Sequence, residues 1–325
     1  MKQYRIFLIT SLDKPWALGW SYKKGFEKNG HIVLPFDPAS ALNPKEEAIK
    51  LIKEFKPDFI LYTKFELPAE TIEDLKHFGK VIQWYPDVAM PESLLPYVTI
   101  ADVFFTMSAG LVKTYKQYNR NVFWLTQAFE PSFFQIKNIS SEDINEFSSD
   151  ITFVGTFGSR PYYLRRRKYL KRVVKENFKL KWWGPRMPRK ISTIPLILGK
   201  LGRSYGHKFI WGEEYAKVAK LSKIFLAFDA APYIHKSMSD RMYMTVGCGA
   251  FYMCEYVNGI EEILEPGKEI VTFQSEQEMI DMIKYYLEND GLRMRIADAG
   301  RKRVLREHTY EIRTRQMLEI LENVF

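Results

Sequence analysis

The sequence predicts an α/β protein built from two Rossmann-like, doubly wound domains in tandem. Three observations carry this. The chain of 325 residues is too long for one ordinary core and suits two of average size. Short apolar runs alternate with stretches of helical spacing along almost its whole length. The alternation breaks once, in a polar stretch between Gln135 and Asp150, and then restarts.

The apolar run Ile6 to Thr10 reads as a strand, followed by a loop with Pro15, Trp16 and Gly19, a helix ending at Asn29-Gly30, and a second strand from His31 to Phe36. The rhythm repeats. Ala48, Ile49, Leu51, Ile52 and Phe55 space a helix over 44–55, Asp58 to Tyr62 is a strand, Ala69 to Phe78 a helix and Lys80 to Tyr85 a strand. Ala101 to Met107 and Asn121 to Leu125 complete the set, with a helix from Leu111 to Tyr118 between them. After the polar stretch come strand Ile151 to Val154, a glycine loop, helix Pro161 to Asn177 and strand Lys179 to Trp183. A Pro- and Gly-broken basic stretch runs from Gly184 to His207, followed by helix Glu213 to Lys220, strand Lys223 to Phe228 and a helix opening near Ser239. Strands Ala250 to Cys254 and Glu269 to Phe273 and helices Glu276 to Glu288 and Leu292 to Glu307 close the pattern. The expected division is an N-terminal domain over 1–135, a linker over 136–149, a C-terminal domain over 150–305, and a last helix over 306–325 packing back towards the first domain. Two such domains face each other across a cleft at the C-terminal ends of their strands, where ligands bind.

Composition narrows the class. With 46% hydrophobic and 15% aromatic residues the chain can fill two cores. The apolar run after Met1 to Arg5 is too short for a signal peptide, and no run approaches the ~20 residues of a membrane span, so a cytoplasmic protein is expected. Cys248 and Cys254 are too few for a disulfide framework and lack the partners of a zinc site. The net charge of +9 concentrates between Ile151 and Ile210, where Lys and Arg face a single acid, Glu176.

Two segments carry chemistry. Val154 to Arg160 is a glycine-bearing turn from a strand into a basic helix; Gly155 lets backbone approach a ligand, helix-start N–H groups favour an anion, and Arg160 adds a forked donor suited to a diphosphate. A tight strand-to-helix turn alone explains the same glycines. The second is Tyr233 to Arg241, where Ser239 and Asp240 form a helix-capping signature with Lys236 and Arg241 beside it and His235 as a further donor. A plain cap with solvated cations is the alternative.

Ser239-Asp240-Arg241, Gly247-Cys248-Gly249-Ala250, Glu255, Gly259-Ile260-Glu261-Glu262, Gly267-Lys268-Glu269, Phe273, Tyr286-Leu287, Arg295-Ile296-Ala297, Gly300 and His308-Thr309-Tyr310 with Arg313 together resemble the C-terminal domain of the CgeB-like spore-maturation glycosyltransferases. These are GT-B proteins related to the group-1 glycosyltransferases. Weaker similarities lie at Phe153-Val154-Gly155, Trp211 to Tyr215 and Ala128 to Phe134. The resemblance implies a GT-B fold, a nucleotide-diphosphate sugar as donor substrate held by the second domain, and an acceptor held by the first. Gly155 and Arg160 would lie near the donor phosphates, and Ser239, Asp240 and Arg241 would cradle them. The chain departs from the family's Arg-x-Phe-Glu pattern at Arg241-Met242-Tyr243-Met244: Met244 stands where an acid often holds the nucleotide ribose, and it cannot accept those hydrogen bonds.

The chain contains no Asp-x-Asp pair, so no metal and no cofactor is expected; Arg160, Lys236, Arg241 and helix N-termini take the electrostatic role. For an acceptor base the candidates are Asp13 and Asp87, both after strands, with Glu66 as a third; each also reads as a turn former. Trp16 and Trp20 offer a sugar-stacking platform or core packing. The acceptor class is a glycan, a lipid-linked species or a protein. The cations Arg165, Arg166, Arg167, Lys168, Lys171, Arg172 and Lys175, then Arg186, Arg189, Lys190, Lys200 and Arg203 among apolar residues such as Ile194 to Leu198, read as a solvated face or as a peripheral contact with an anionic membrane. A nucleic-acid binder or DNA-modifying sugar transferase is a rival reading of the same cations, and a non-catalytic nucleotide or glycan binder is a rival reading of Met244.

Overall fold

The computed structural model describes residues 2–88, 91–158, 160–185 and 198–325. The chain divides into two compact units: Met1–Glu130 with Ile234–Met238 and His308–Phe325, and Pro131–Tyr233 with Ser239–Glu307.

The first unit holds a parallel sheet of β1 (Arg5–Ile9), β2 (Ile32–Phe36), β3 (Phe59–Thr63), β4 (Lys80–Tyr85), β5 (Val103–Thr106) and β6 (Val122–Trp124). Its order is β2-β1-β3-β4-β5-β6. β3 is buried along its whole length, as an inner parallel strand covered on both faces should be. One face packs Phe7, Ile60, Val81 and Phe104 against helices that include Pro44–Phe55 and Ala69–Leu75. The other packs Ile6, Leu61, Ile82, Trp84 and Phe105 against helix Leu18–Lys28, through Tyr22 and Phe26, and against helix Tyr310–Val324, through Tyr310, Met317, Leu318 and Leu321. Those two helices approach so closely that a Cβ on Gly25 would sit 2.5 Å from the Tyr310 carbonyl oxygen. Backbone cannot yield as a side chain does, so Gly25→Ala is expected to cost about 1–3 kcal/mol by overpacking, read as a lowered urea midpoint.

The second unit's sheet runs β11-β10-β9-β7-β8, again all parallel, with β7 (Ser149–Val154), β8 (Leu180–Trp183), β9 (Ser222–Ala227), β10 (Tyr252–Glu255) and β11 (Val271–Phe273). Ile151, Phe153, Ile224, Leu226 and Met253 meet Leu170 and Val173 of helix Pro161–Lys175 and Ile280 and Ile283 of helix Glu276–Glu288 in one core. Within residues 136–149, read from the sequence as linker, stands the helix Ser141–Phe147. Only its Phe147 is buried, so it shows no apolar periodicity; a reciprocal cap holds it instead, the Ser140 hydroxyl accepting from the Asp143 N–H while the Asp143 carboxylate accepts from the Ser140 N–H. Lys217 then pairs with Asp143 at 2.9 Å. Among the described residues no helix is long and apolar enough to cross a membrane.

Candidate functional site

In an open parallel sheet, ligands sit beyond the strand ends where the strand order reverses. In the second unit that point lies between β7 and β9. The chain leaves β7 at Gly155 and β9 at Phe228-Asp229. Three consecutive arginines of helix Pro161–Lys175 tie these exits together. Arg166 donates through Nη1 to the Thr156 carbonyl at 2.8 Å and through Nη2 to the Phe228 carbonyl at 3.2 Å. Arg165 donates to the Asp229 carbonyl at 2.8 Å and makes an ion pair with Glu255, at the end of β10, at 3.0 Å. Arg167 donates to the Gly158 carbonyl at 3.0 Å. The sequence offers this run as a solvated or polyanion-binding face; in the fold, Arg166 is only 4% exposed and each of the three arginines donates to carbonyls of the protein itself.

Asp229, itself buried, accepts the backbone N–H of Ser239 at 2.9 Å and so fixes the start of helix Asp240–Gly247. The Asp229 carboxylate caps the helix, leaving Ser239 with a different part. The Ser239 Oγ makes no capping bond and is buried with no partner among the described residues, as are the Nε atoms of Arg165 and Arg166. Unpaired buried polar groups of this kind cost about 1–3 kcal/mol each and call for an explanation. Burial pushes the Arg166 guanidinium down to about 10, with the neighbouring Arg241 charge as the second cause. It remains cationic at neutral pH. Among the described residues no ion pair with Arg241 forms. Two guanidinium groups that repel each other, orphaned donors and a helix start make an arrangement that an anion would relieve.

The other predicted residues fall as follows. Gly155 donates through its N–H to the Trp183 carbonyl at 2.9 Å. Its close neighbour is protein: Gly184, at φ +148°, packs so near that a Cβ there would lie 2.3 Å from the Gly155 carbonyl oxygen. Arg160 is exposed at the start of helix Pro161–Lys175. Asp240 is exposed in the first turn of its helix. His235 and Lys236 are not joined with Ser239 to Arg241 in one unit; they cluster with the first. The reason is local: the His235 carbonyl accepts the Gly110 N–H at 3.0 Å, Lys236 takes a left-handed backbone, φ 50°, and its Nζ stands 4.8 Å over the Trp124 ring. Arg186, Arg189, Lys190 and Ile194 to Ile197 lie outside the described residues.

In the first unit the order reverses between β1 and β3. Asp13 follows β1 and Glu66 follows β3, so both stand at that point; Asp87 follows β4, exposed, 3.5 Å from Lys64. The Ser11 hydroxyl donates to Asp13 at 2.8 Å and holds its carboxyl below the ordinary range. Glu66 is the opposite case: burial pushes it up, with Asp37 and Asp13 adding to the push against the Ser11 N–H and Lys64. Trp16 is exposed in the loop after β1, and Trp20 is half-buried in helix Leu18–Lys28. Among the described residues no three His, Cys, Asp or Glu side chains come together to hold a metal ion. Burial pushes both the Cys248 and Cys254 thiols up; Cys254 lies in the core on β10, and Cys248 is half-buried at the end of helix Asp240–Gly247.

Residues 165–319 match the family described as glycosyl transferase-like. No curated protein sequence matches the chain significantly. Solved structures do. The catalytic domain of starch synthase IV from Arabidopsis thaliana, bound to ADP and acarbose, superposes with a TM-score of 0.71 at 10% identity, covering 100% of this chain and 99% of that one. Sucrose-phosphate synthase from Thermosynechococcus elongatus gives 0.70 at 14% identity, with 99% of each chain covered. HepE from Anabaena, in complex with UDP-glucose, gives 0.68 at 12% identity, covering 99% of this chain and all of that one. The chain therefore has the two-sheet GT-B fold of these glycosyltransferase structures, and the arginine run and the helix at Ser239 both lie inside its glycosyl transferase-like segment.

Proposed function

We propose that this protein is a glycosyltransferase that moves a sugar from a nucleotide-diphosphate donor to a hydroxyl acceptor. The observation that carries the reading is the cationic, donor-rich cluster made by Arg166, Arg241 and the unpartnered Ser239 hydroxyl at a helix start. A departing diphosphate gains negative charge as the glycosidic bond breaks, and fixed cations with oriented N–H and O–H donors stabilise that charge without reorganising. The fold, the family segment and the ADP- and UDP-glucose-bound neighbours support the same substrate class. A CgeB-like membership, a cytoplasmic location and a glycan, lipid-linked or protein acceptor belong to this proposal.

The donor is tested by a thermal-shift panel of UDP-, ADP-, GDP-, dTDP- and CMP-sugars. A true donor at 100 times its dissociation constant should stabilise by about 2.7 kcal/mol. A flat response to all five would sink the reading. Arg241 and Arg166 are assigned the charge-neutralising part, so transfer is expected to continue unchanged when a chelator such as EDTA is added; abolition by EDTA with rescue by a divalent cation would overturn that assignment.

On the acceptor side, Glu66 is proposed as the base in preference to Asp13 and Asp87. A carboxylate raised by burial is the stronger proton acceptor, whereas the Ser11 hydrogen bond weakens Asp13. Glu66→Gln is expected to lower kcat by about 10²–10⁴ with Asp13→Asn changing it far less. The sign in pH follows: the active form is the carboxylate, so the rate falls as pH drops through the raised value, and the acid limb of the wild-type profile lies above the ordinary glutamate range. Equal losses in the two variants would refute the choice.

A further inference from the structure

The outer edge of the second sheet carries a cavity of about 380 Å³ whose walls include Glu146, Lys179, Lys181, Trp183, Arg203 and Tyr205. It shares no residue with the donor wall of Arg166, Ser239 and Arg241. The edge strand β8 forms one side, and residues 204–206 run alongside it, the Ser204 carbonyl accepting the Trp182 N–H at 2.8 Å and the Gly206 N–H donating back to the Trp182 carbonyl at 2.8 Å. Alternation along the strand brings Lys179, Lys181 and Trp183 to one face.

The chemistry of the lining is unbalanced. Its one carboxylate, Glu146, is already engaged by Lys208 at 2.8 Å. Lys181 donates to the backbone carbonyls of Asn145, at 3.3 Å, and Glu146. Among the described residues neither Lys179 nor Arg203 has a carboxylate within ion-pair distance. Trp183 is 1% exposed, and its indole N–H is buried without an acceptor. Burial, with the nearby Lys179 charge, also holds Lys181 below its ordinary range. Lys179 and Arg203 are thus cations without a counter-charge in the lining. What is missing is an anion with hydrogen-bond-accepting atoms.

Size limits the candidates. At about 30 Å³ per water, the cavity has room for roughly a dozen waters, which suits a small organic phosphate as well as a bare ion and falls in the ordinary range of ligand pockets. The aromatic groups of the wall are packed rather than free: a Cβ on Gly206 would come within 2.2 Å of the Trp183 indole, and Tyr205 stacks on Trp182 at 4.1 Å, which makes that side of the cavity rigid. We propose that this cavity is a second binding site, separate from the donor wall, for a small soluble phosphate-bearing ligand of sugar-phosphate size, with Lys179 and Arg203 on the phosphate and the Trp183 indole in the wall as its reporter.

The test is a ¹⁵N-NMR titration of the tryptophan indoles of the full chain with inorganic phosphate, pyrophosphate and glucose 6-phosphate, the Trp183 resonance being assigned from Trp183→Phe. A saturable shift of the Trp183 indole with at least one of them is expected, with affinity weakened about tenfold or more in the Lys179→Ala/Arg203→Ala double variant. Both residues are solvent-facing, so that variant should melt like the wild type in the absence of ligand. An unmoved Trp183 indole at millimolar concentrations of all three overturns the proposal, as does a shift the double variant leaves intact, or a response to anionic vesicles or duplex DNA alone. A failed donor panel leaves this result untouched, since the two sites share no side chain.

Discussion

Replacing Arg241 by alanine should lower kcat/KM for sugar transfer by about a hundred- to a thousandfold, the loss that follows removal of one preorganised donor to developing charge. Arg241 stands in the first turn of helix Asp240–Gly247, and its backbone is held by a helix start that Asp229 fixes. Its guanidinium makes no ion pair among the described residues and repels Arg166, so truncation should cost little stability, read as a melting temperature within a few degrees of wild type. If the charge acts mainly on the leaving diphosphate, the fall appears in kcat; if it only binds the ground-state donor, KM rises and kcat stays. A change of less than about threefold in kcat/KM, against that expected hundredfold, would remove Arg241 from the reaction.

Arg166→Ala should act first on stability. Two hydrogen bonds from a charged group, to Thr156 and Phe228, are each worth about 1.5–3 kcal/mol, and both carbonyls lose their partner. Against that stands the release of a buried charge and of its repulsion with Arg241, so a net loss of about 2–4 kcal/mol is expected. Urea unfolding followed by the tryptophans near β8 would read it. Arg166→Lys should recover little, because an ammonium cannot span two carbonyls as a planar fork does. Stability equal to wild type in the alanine variant would mean that the two loop exits are held by something else.

Strand and helix periods made most of the fold legible. Pro44–Phe55 and Glu276–Glu288 appear with the bounds that their apolar spacing and flanking residues indicate. Helix Ser141–Phe147 was hidden because polar capping rather than an apolar stripe stabilises it, although Ser140 three residues before Asp143 was its readable mark. The short helix Leu95–Ile100, with Pro96 in its first turn, left too few apolar repeats to register. For the candidate site, Ser239 and Arg241 are marked in the sequence by capping chemistry, and the structure places both at the start of helix Asp240–Gly247. Arg165 to Arg167 could not, since a run of cations looks the same whether it faces water or reaches buried carbonyls; only the strand order brings Thr156, Phe228 and Asp229 within their reach. Asp229 was missed for the same reason. Its role as acceptor for Ser239 links residues ten apart across a loop whose path no local pattern dictates.

The place of the last helix bears on how the chain is made. Tyr310, Met317, Leu318 and Leu321 complete a core whose other members, from Tyr4 to Ala128, are synthesised far earlier. A nascent chain emerging at about 5–20 residues per second must therefore hold the Tyr22 and Trp84 face of its first sheet uncovered for the time it takes to make the whole second unit. The first unit begins first and finishes last. A fragment ending at Glu130 would expose that apolar face permanently, so the two units cannot be separated by a single cut without leaving one of them short of its core.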